Sequence, residues 1–239
     1  MKKVLLALML LFSVISFGLD DSQKIEIAEL MIFNTKNTNG DGLNLDVKKA
    51  FKDLVIKKDD FEKIIMEKNK NETKTDILTF TIIKPISNKK TFPLGYNMRI
   101  GYYSKELLGF KKIIIATDNK TYEKNFNYLD GIRDISSSGV YEYYDIKISL
   151  DDKETINMLK DIVKSKSSKI RFYSREKHKD KVFTDREKKL ILNFLAITGF
   201  YHVANSNIIE DTVQEIQNKF NIPEDSAFQY LKDIYKKNK

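Results

Sequence analysis

"KIIIATDNKTYEKNF", residues 112–126, decides the fold class. Two short runs rich in β-branched and aromatic residues, Lys112 to Thr117 and Tyr122 to Phe126, flank Asp118-Asn119-Lys120. Asp and Asn tolerate the left-handed region, so those three residues read as a hairpin turn. Strands joined this tightly are antiparallel, because parallel neighbours need a crossover of a dozen or more residues. The same grammar recurs in "ILTFTII" (77–83), "MRIGYY" (98–103), "VYEYYDIKI" (140–148) and "KIRFY" (169–173). One helix, 152–164, interrupts them, with Ile156, Leu159, Ile162 and Val163 along one face. The expectation is an α+β protein with an antiparallel sheet over 76–174 packed by helices, not a βαβ winding.

Either side of the sheet the pattern turns helical. Val47, Ala50, Phe51, Leu54 and Val55 fall at i, i+3, i+4, i+7 and i+8 of one helix face. Asp59 and Glu62 have capping-box spacing, with Phe61, Ile64 and Ile65 supplying the next apolar face, so 19–70 is expected to be helical. Beyond residue 184, Leu190, Ile191, Phe194, Leu195, Ile197 and Thr198 cover much of a helix. A further helix through Val213, Ile216 and Phe220 stops at Asn221-Ile222-Pro223, and another starts at Glu224. The layout expected is an α+β domain over 19–201 and a C-terminal helical hairpin over 202–239.

Residues 1–18 read as a secretory signal peptide. Lys2 and Lys3 precede an uncharged run from Val4 to Phe17, and Ser16 and Gly18 provide the small residues of a cleavage site. That run is too short to span a bilayer, and nothing after it approaches about 18 consecutive apolar residues. The chain is therefore expected to be exported, to the periplasm or the medium, without a membrane span after processing. There is no cysteine, which excludes disulfides, thiolate metal sites and a thiol nucleophile. The net charge is +8, and loss of residues 1–18 lowers it by two, to +6. Only Arg99, Arg133, Arg171, Arg175 and Arg186 among the 42 basic residues are arginine. Phosphate and guanine recognition favours the planar arginine fork, so this lysine richness argues against nucleic acid as the partner.

"NTKNTNGDGLNLD" (34–46) half-matches a calcium loop. Asn37, Asn39 and Asp41 occupy the first three ligand positions, Gly42 the turn position, and Leu43 would offer its carbonyl. The twelfth position is Lys48 where the site needs a bidentate carboxylate, and Asp46 comes two residues early. The preferred reading is a polar turn with Asp46 as the N-cap of the next helix and no cofactor, calcium being the competing assignment.

"KIRFYSREKHKDKVF" (169–183) interleaves Lys169, Arg171, Arg175, Lys177, Lys179 and Lys181 with Phe172, Tyr173 and Phe183, opposed only by Glu176 and Asp180. Strand alternation places Arg171 and Tyr173 on one face and Ile170 and Phe172 on the other. Arg171, Tyr173, Arg175, Lys177 and Lys179 are thus candidates for a basic surface meeting an anionic polymer or an acidic protein. The preferred reading of the stretch is a strand with a buried Ile-Phe face followed by a solvated lysine-rich loop, the chain being lysine-rich throughout.

The segment "DTVQEIQNKFNIPEDSAFQYLKDIYKK" (211–237) resembles the helix-turn-helix of bacterial DNA-binding domains, which would put Ser226, Gln229 and Tyr230 on a recognition helix. It lacks the glycine usual before the turn, and Glu224 and Asp225 would meet phosphate with the wrong sign. Neither His178 nor His202 has metal-ligand spacing, and "DISSSGV" (134–140) reads as a turn, not a nucleophile elbow. A hydrolytic carboxylate pair assembles in space and leaves no sequence signature. Residues 143–201, in the order polar-faced strand, Asp-led helix, Arg-Phe-Tyr strand, basic loop and helix after Thr-Asp-Arg-Glu, resemble small uncharacterised exported bacterial proteins. That resemblance implies an α+β module and no activity. The function expected is a non-enzymatic binding protein, with a carboxylate-pair hydrolase and a DNA-binding hairpin as alternatives.

Overall fold

The computed structural model describes residues 19–33, 43, 45–149, 152–175 and 177–237. The chain divides into two units, one of residues 35–202 and one of residues 1–34 with 203–239. The larger unit is α+β, as expected, but its strands form two antiparallel sheets instead of one. A six-stranded sheet, curled into a half-barrel, runs in the order β1 (Leu54–Asp59), β2 (Ile64–Asn69), β3 (Leu78–Pro85), β4 (Gly95–Ser104), β8 (Gly139–Ile148), β7 (Ile132–Ser136). A four-stranded sheet runs β10 (His178–Val182), β9 (Lys169–Tyr173), β5 (Lys112–Ala116), β6 (Thr121–Asn125).

The opening hairpin forms as expected, Thr117 N–H donating to Lys120 O at 2.9 Å. Left-handed residues are not what closes it. Among the described residues only Lys63 and Asn221 combine a side chain with positive φ. Asp118 instead ties the turn to the end of helix α3 (Lys153–Lys164), its carboxylate accepting Lys166 N–H at 2.7 Å. Strand β3 alternates as its pattern demands, with Leu78, Phe80 and Ile82 buried and Thr79, Thr81 and Ile83 only partly so. Those buried side chains face helix α4 (Asp185–Ala204), where Phe80 stacks on Phe194 at 4.2 Å. Phe110 and Phe172, both fully buried, join the two sheets: their rings meet at 5.0 Å, and Phe110 meets Tyr144 of β8 at 5.1 Å.

Residues 54–69 correct the helical expectation. Helix α2 (Val47–Lys52) stops at Asp53, and Leu54 to Asn69 make the β1–β2 hairpin, paired from Leu54↔Asn69 to Asp59↔Ile64. There is no helix for Asp59 to cap; its Oδ1 instead accepts Phe61 N–H at 3.0 Å and Glu62 N–H at 3.1 Å inside a turn. Those bonds close the hairpin loop, with Lys63 left-handed at φ 55°, because pairing of β2 with β3 outweighs a local start signal. Strands β7 and β10 differ from expectation too: the first, Ile132–Ser136, runs into the serine stretch 134–140 read as a turn, and the second, "HKDKV", reads as loop because four of its five residues are polar.

The smaller unit is helical. Helix α1 (Asp21–Phe33) groups with α5 (Asn207–Phe220) and α6 (Glu224–Lys237), not with the residues that follow it in sequence. Asp20 and Gln23 cap α1 reciprocally at 2.8 Å each way, and Lys24–Glu210 (2.6 Å) and Glu26–Lys232 (2.7 Å) link the helices. Asn221, at φ 51°, ends α5 with its N–H on Gln217 O. No described helix is long and apolar enough to cross a membrane, and residues 1–18, read as a signal peptide, lie outside the described residues.

Candidate anion-binding groove

Strand β9 alternates as its sequence requires. Ile170 and Phe172 are fully buried, and Arg171 and Tyr173 point the other way. Arg171 is already occupied. Its Nε and Nη2 hold both oxygens of Asp180, directly opposite on β10, at 2.6 and 2.7 Å. Bidentate pairing of this kind is the strongest use of a guanidinium, and it holds the Asp180 carboxyl below the usual carboxylate range. On the same face Lys112 pairs with Glu123 at 2.6 Å. The outward face of the small sheet is therefore largely neutralised in pairs, although the Tyr173 ring remains there, 5.8 Å from the His178 ring. Lys179 is exposed, but its register opposite Phe172 sets it on the other side of β10.

Arg175 and Lys177 part company with Arg171 at the end of the strand. They belong to the β9–β10 turn and line an open groove of about 490 Å³ together with Leu107, Leu108, Gly109, Lys111, Tyr128 and Ser174. Three cations and an aromatic ring face it, and no acid is among its described lining residues. Each wall is fixed from beneath. Glu142, buried on β8, accepts Leu108 N–H and Gly109 N–H, so both its oxygens are spent on backbone. Gly109 takes φ 64°, and a side chain there would press on the Tyr128 ring at 3.4 Å. Tyr128 opens a one-turn 3-10 helix capped by Asn127, and Arg133 lies over its ring at 4.0 Å while donating to Tyr128 O and Gly131 O. Lys111 Nζ sits 5.2 Å from the same ring centre. The turn is held by Ser174, whose Oγ accepts Lys177 N–H at 3.1 Å.

Lys111, Tyr128 and the Leu107–Gly109 segment carried no sequence signal. They lie far from 169–183 in the chain, and only pairing of β5 with β9 brings Lys111 beside Tyr173, whose carbonyl accepts Lys111 N–H at 2.8 Å.

Of the calcium-loop candidates, Asn37, Asn39 and Asp41 lie outside the described residues. Leu43 buries its side chain, and Asp46 caps α2, accepting Lys49 N–H at 2.9 Å. No cluster of three or more potential metal ligands occurs among the described residues. A second, smaller pocket of about 130 Å³ at the start of α3 has Glu123, Lys124, Asp152 and Glu154 in its lining. Two of them have structural tasks, Glu123 on Lys112 and Asp152 capping α3 through Thr155 N–H (3.0 Å) and Oγ1 (2.7 Å). Hydrogen bonds from Thr155 hold the Asp152 carboxyl below its ordinary range, opposite to what a general acid needs. No family model matches the chain, and neither does a curated protein or a solved structure.

Proposed function

We propose that this is an exported, non-enzymatic binding protein whose groove between Leu107–Lys111, Tyr128 and the Ser174–Lys177 turn takes an anionic polymer. The observation that carries the reading is the composition of the groove: Lys111, Arg175 and Lys177 gather around one aromatic ring. Cations spaced along an open groove suit a repeating anion. The walls are pinned by Glu142, Asn127 and Ser174, so little ordering entropy is lost on binding. Export rests on the residue 1–18 pattern.

Retention on a heparin-type resin at low salt tests this. Wild-type protein should bind and elute on a salt gradient. The Arg175→Ala, Lys177→Ala double variant should elute early, whereas Arg171→Ala, which removes a guanidinium already spent on Asp180 and the Tyr173 hydroxyl, should elute close to wild type. A wild-type protein that passes straight through at low salt overturns the proposal.

A further inference from the structure

Strand β2 carries two polar side chains into the packing between the large sheet and α4. Glu67 and Asn69 are two positions apart, so both lie on the face that also presents Phe80 and Ile82 of β3. Each is only 8% exposed. With Phe80, Ile82, Asn193 and Phe194 they line a narrow cavity of about 10 Å³.

Neither side chain is satisfied there. Asn69 Oδ1 accepts Asn71 N–H at 3.0 Å, which fixes the amide's orientation and turns Nδ2 the other way. That Nδ2 has no hydrogen-bond partner among the described residues. Glu67 Oε1 accepts from Lys84 Nζ at 2.9 Å; Oε2 lies 2.8 Å from the same ammonium but accepts no hydrogen bond. Buried donors and acceptors are costly to leave unpaired, so these two atoms mark a place for a ligand.

They also specify its chemistry. The free N–H of Asn69 demands an acceptor and turns away a metal cation. The free oxygen of Glu67 demands a donor, and Glu72, in the same lining, adds a second carboxyl that repels an anion. What fits is a neutral molecule that both accepts and donates. The space then sets its size, since one water needs roughly 10–15 Å³ and an organic molecule far more.

We infer that this cavity binds one long-lived water molecule, which accepts from Asn69 Nδ2 and donates to Glu67 Oε2. On α4, Asn193 gives its Nδ2 to Asp53 at 3.4 Å, which leaves its Oδ1 as the acceptor for the second hydrogen of the water. The water thereby completes a polar seam from Lys84 and Glu67 through Asn69 to Asn193 and Asp53, tying β2 to α4 across apolar packing. The site is separate from the groove and does not depend on it.

Two measurements on the full chain test this. Oxygen-17 relaxation dispersion of the solvent counts waters that tumble with the protein, and a crystal structure at atomic resolution places them. The crystal should show one density peak within hydrogen-bond distance of both Asn69 Nδ2 and Glu67 Oε2. Asn69→Leu, which removes the donor and fills the space, should lower the dispersion amplitude by the contribution of one water. A cavity without density at that resolution, or a peak that refines as a metal ion, overturns the site. So does a folded Asn69→Leu protein that keeps the full wild-type amplitude. If Asn69→Leu does not fold, the wild-type crystal structure decides alone.

Discussion

The ring of Tyr141 lies across Gly101: a methyl group at residue 101 would come within 2.4 Å of the Tyr141 hydroxyl oxygen and 2.5 Å of Cε2. The two residues sit diagonally on β4 and β8, where Gly101 pairs with Tyr143 and Tyr141 with Tyr103. A glycine inside a ten-residue strand is thus explained by close approach and not by backbone freedom. Burial under these neighbours pushes the Tyr141 phenol up to about 12. Gly101→Ala should cost about 1–3 kcal/mol in urea unfolding, because the ring must leave its place. Tyr141→Phe should not rescue it, since the ring carbons clash as well, whereas Tyr141→Leu should recover part of the loss. Additive effects in that double-mutant cycle would refute the contact.

Glu72 is partly buried between β3 and α4, beside Phe80, Leu190 and Asn193, and burial raises its carboxyl to about 7 even though Phe80 N–H donates to it at 3.0 Å. Its folded-state value lies above its unfolded one, so the contribution of Glu72 is fully present below about pH 4.5 and is lost as pH rises towards 7. Stability from this group should therefore fall between those values, by on the order of 2 kcal/mol. Glu72→Gln, which keeps the shape and removes the charge, should flatten that slope in urea midpoints measured against pH. An unchanged slope in the variant would place the effect elsewhere.

Glu142 supports the groove without reaching it. Truncation to Ala leaves two backbone N–H groups, Leu108 and Gly109, without their carboxylate, at a cost of about 2–4 kcal/mol. The 107–109 wall should loosen, so polyanion retention should drop in Glu142→Ala even though no cation was removed. Hydrogen exchange at Leu108 and Gly109 provides the check: faster exchange with unchanged retention would separate the loop from binding.

Salt dependence should separate the basic residues from one another. Each cation that displaces a counterion from a linear polyanion steepens the slope of log affinity against log salt by about 0.7–0.9. Lys111→Ala, Arg175→Ala and Lys177→Ala should each flatten the slope by that amount. Arg171→Ala should not, because its guanidinium is already paired with Asp180. A flatter slope in Arg171→Ala would show that the pair opens for the ligand.

The left-handed Asn221 between α5 and α6 gives a simpler expectation. Asn221→Ala, forcing a β-carbon into φ 51° without a side-chain amide, should destabilise the helical unit by about 1 kcal/mol, and Asn221→Gly should not. Thermal unfolding of the three proteins compares them directly.

Local physics was enough for the strands β3, β4, β5, β6, β8 and β9, the helices α3 and α4, and the stop at Asn221. In each, periodicity, turn chemistry and capping agree with the tertiary outcome. Asp46 as a cap was legible for the same reason, being a bond to a residue three positions away. Residues 54–69 show the limit. A helical face pattern and a capping-box spacing at Asp59 were both present, yet pairing with β3 made the segment a hairpin, because ladder bonds to a distant strand outweigh a few tenths of a kcal/mol per residue of propensity. The split of the strands into two sheets, and the grouping of α1 with α5 and α6, are likewise decided by contacts between residues far apart in sequence. The basic surface lies between these cases. From the sequence come its lysines, its arginines and the outward alternation of Arg171 and Tyr173. Only the tertiary structure reveals that Asp180 cancels Arg171, and that Lys111 and Tyr128 join Arg175 and Lys177 around one groove, because charge is summed in space and not along the chain.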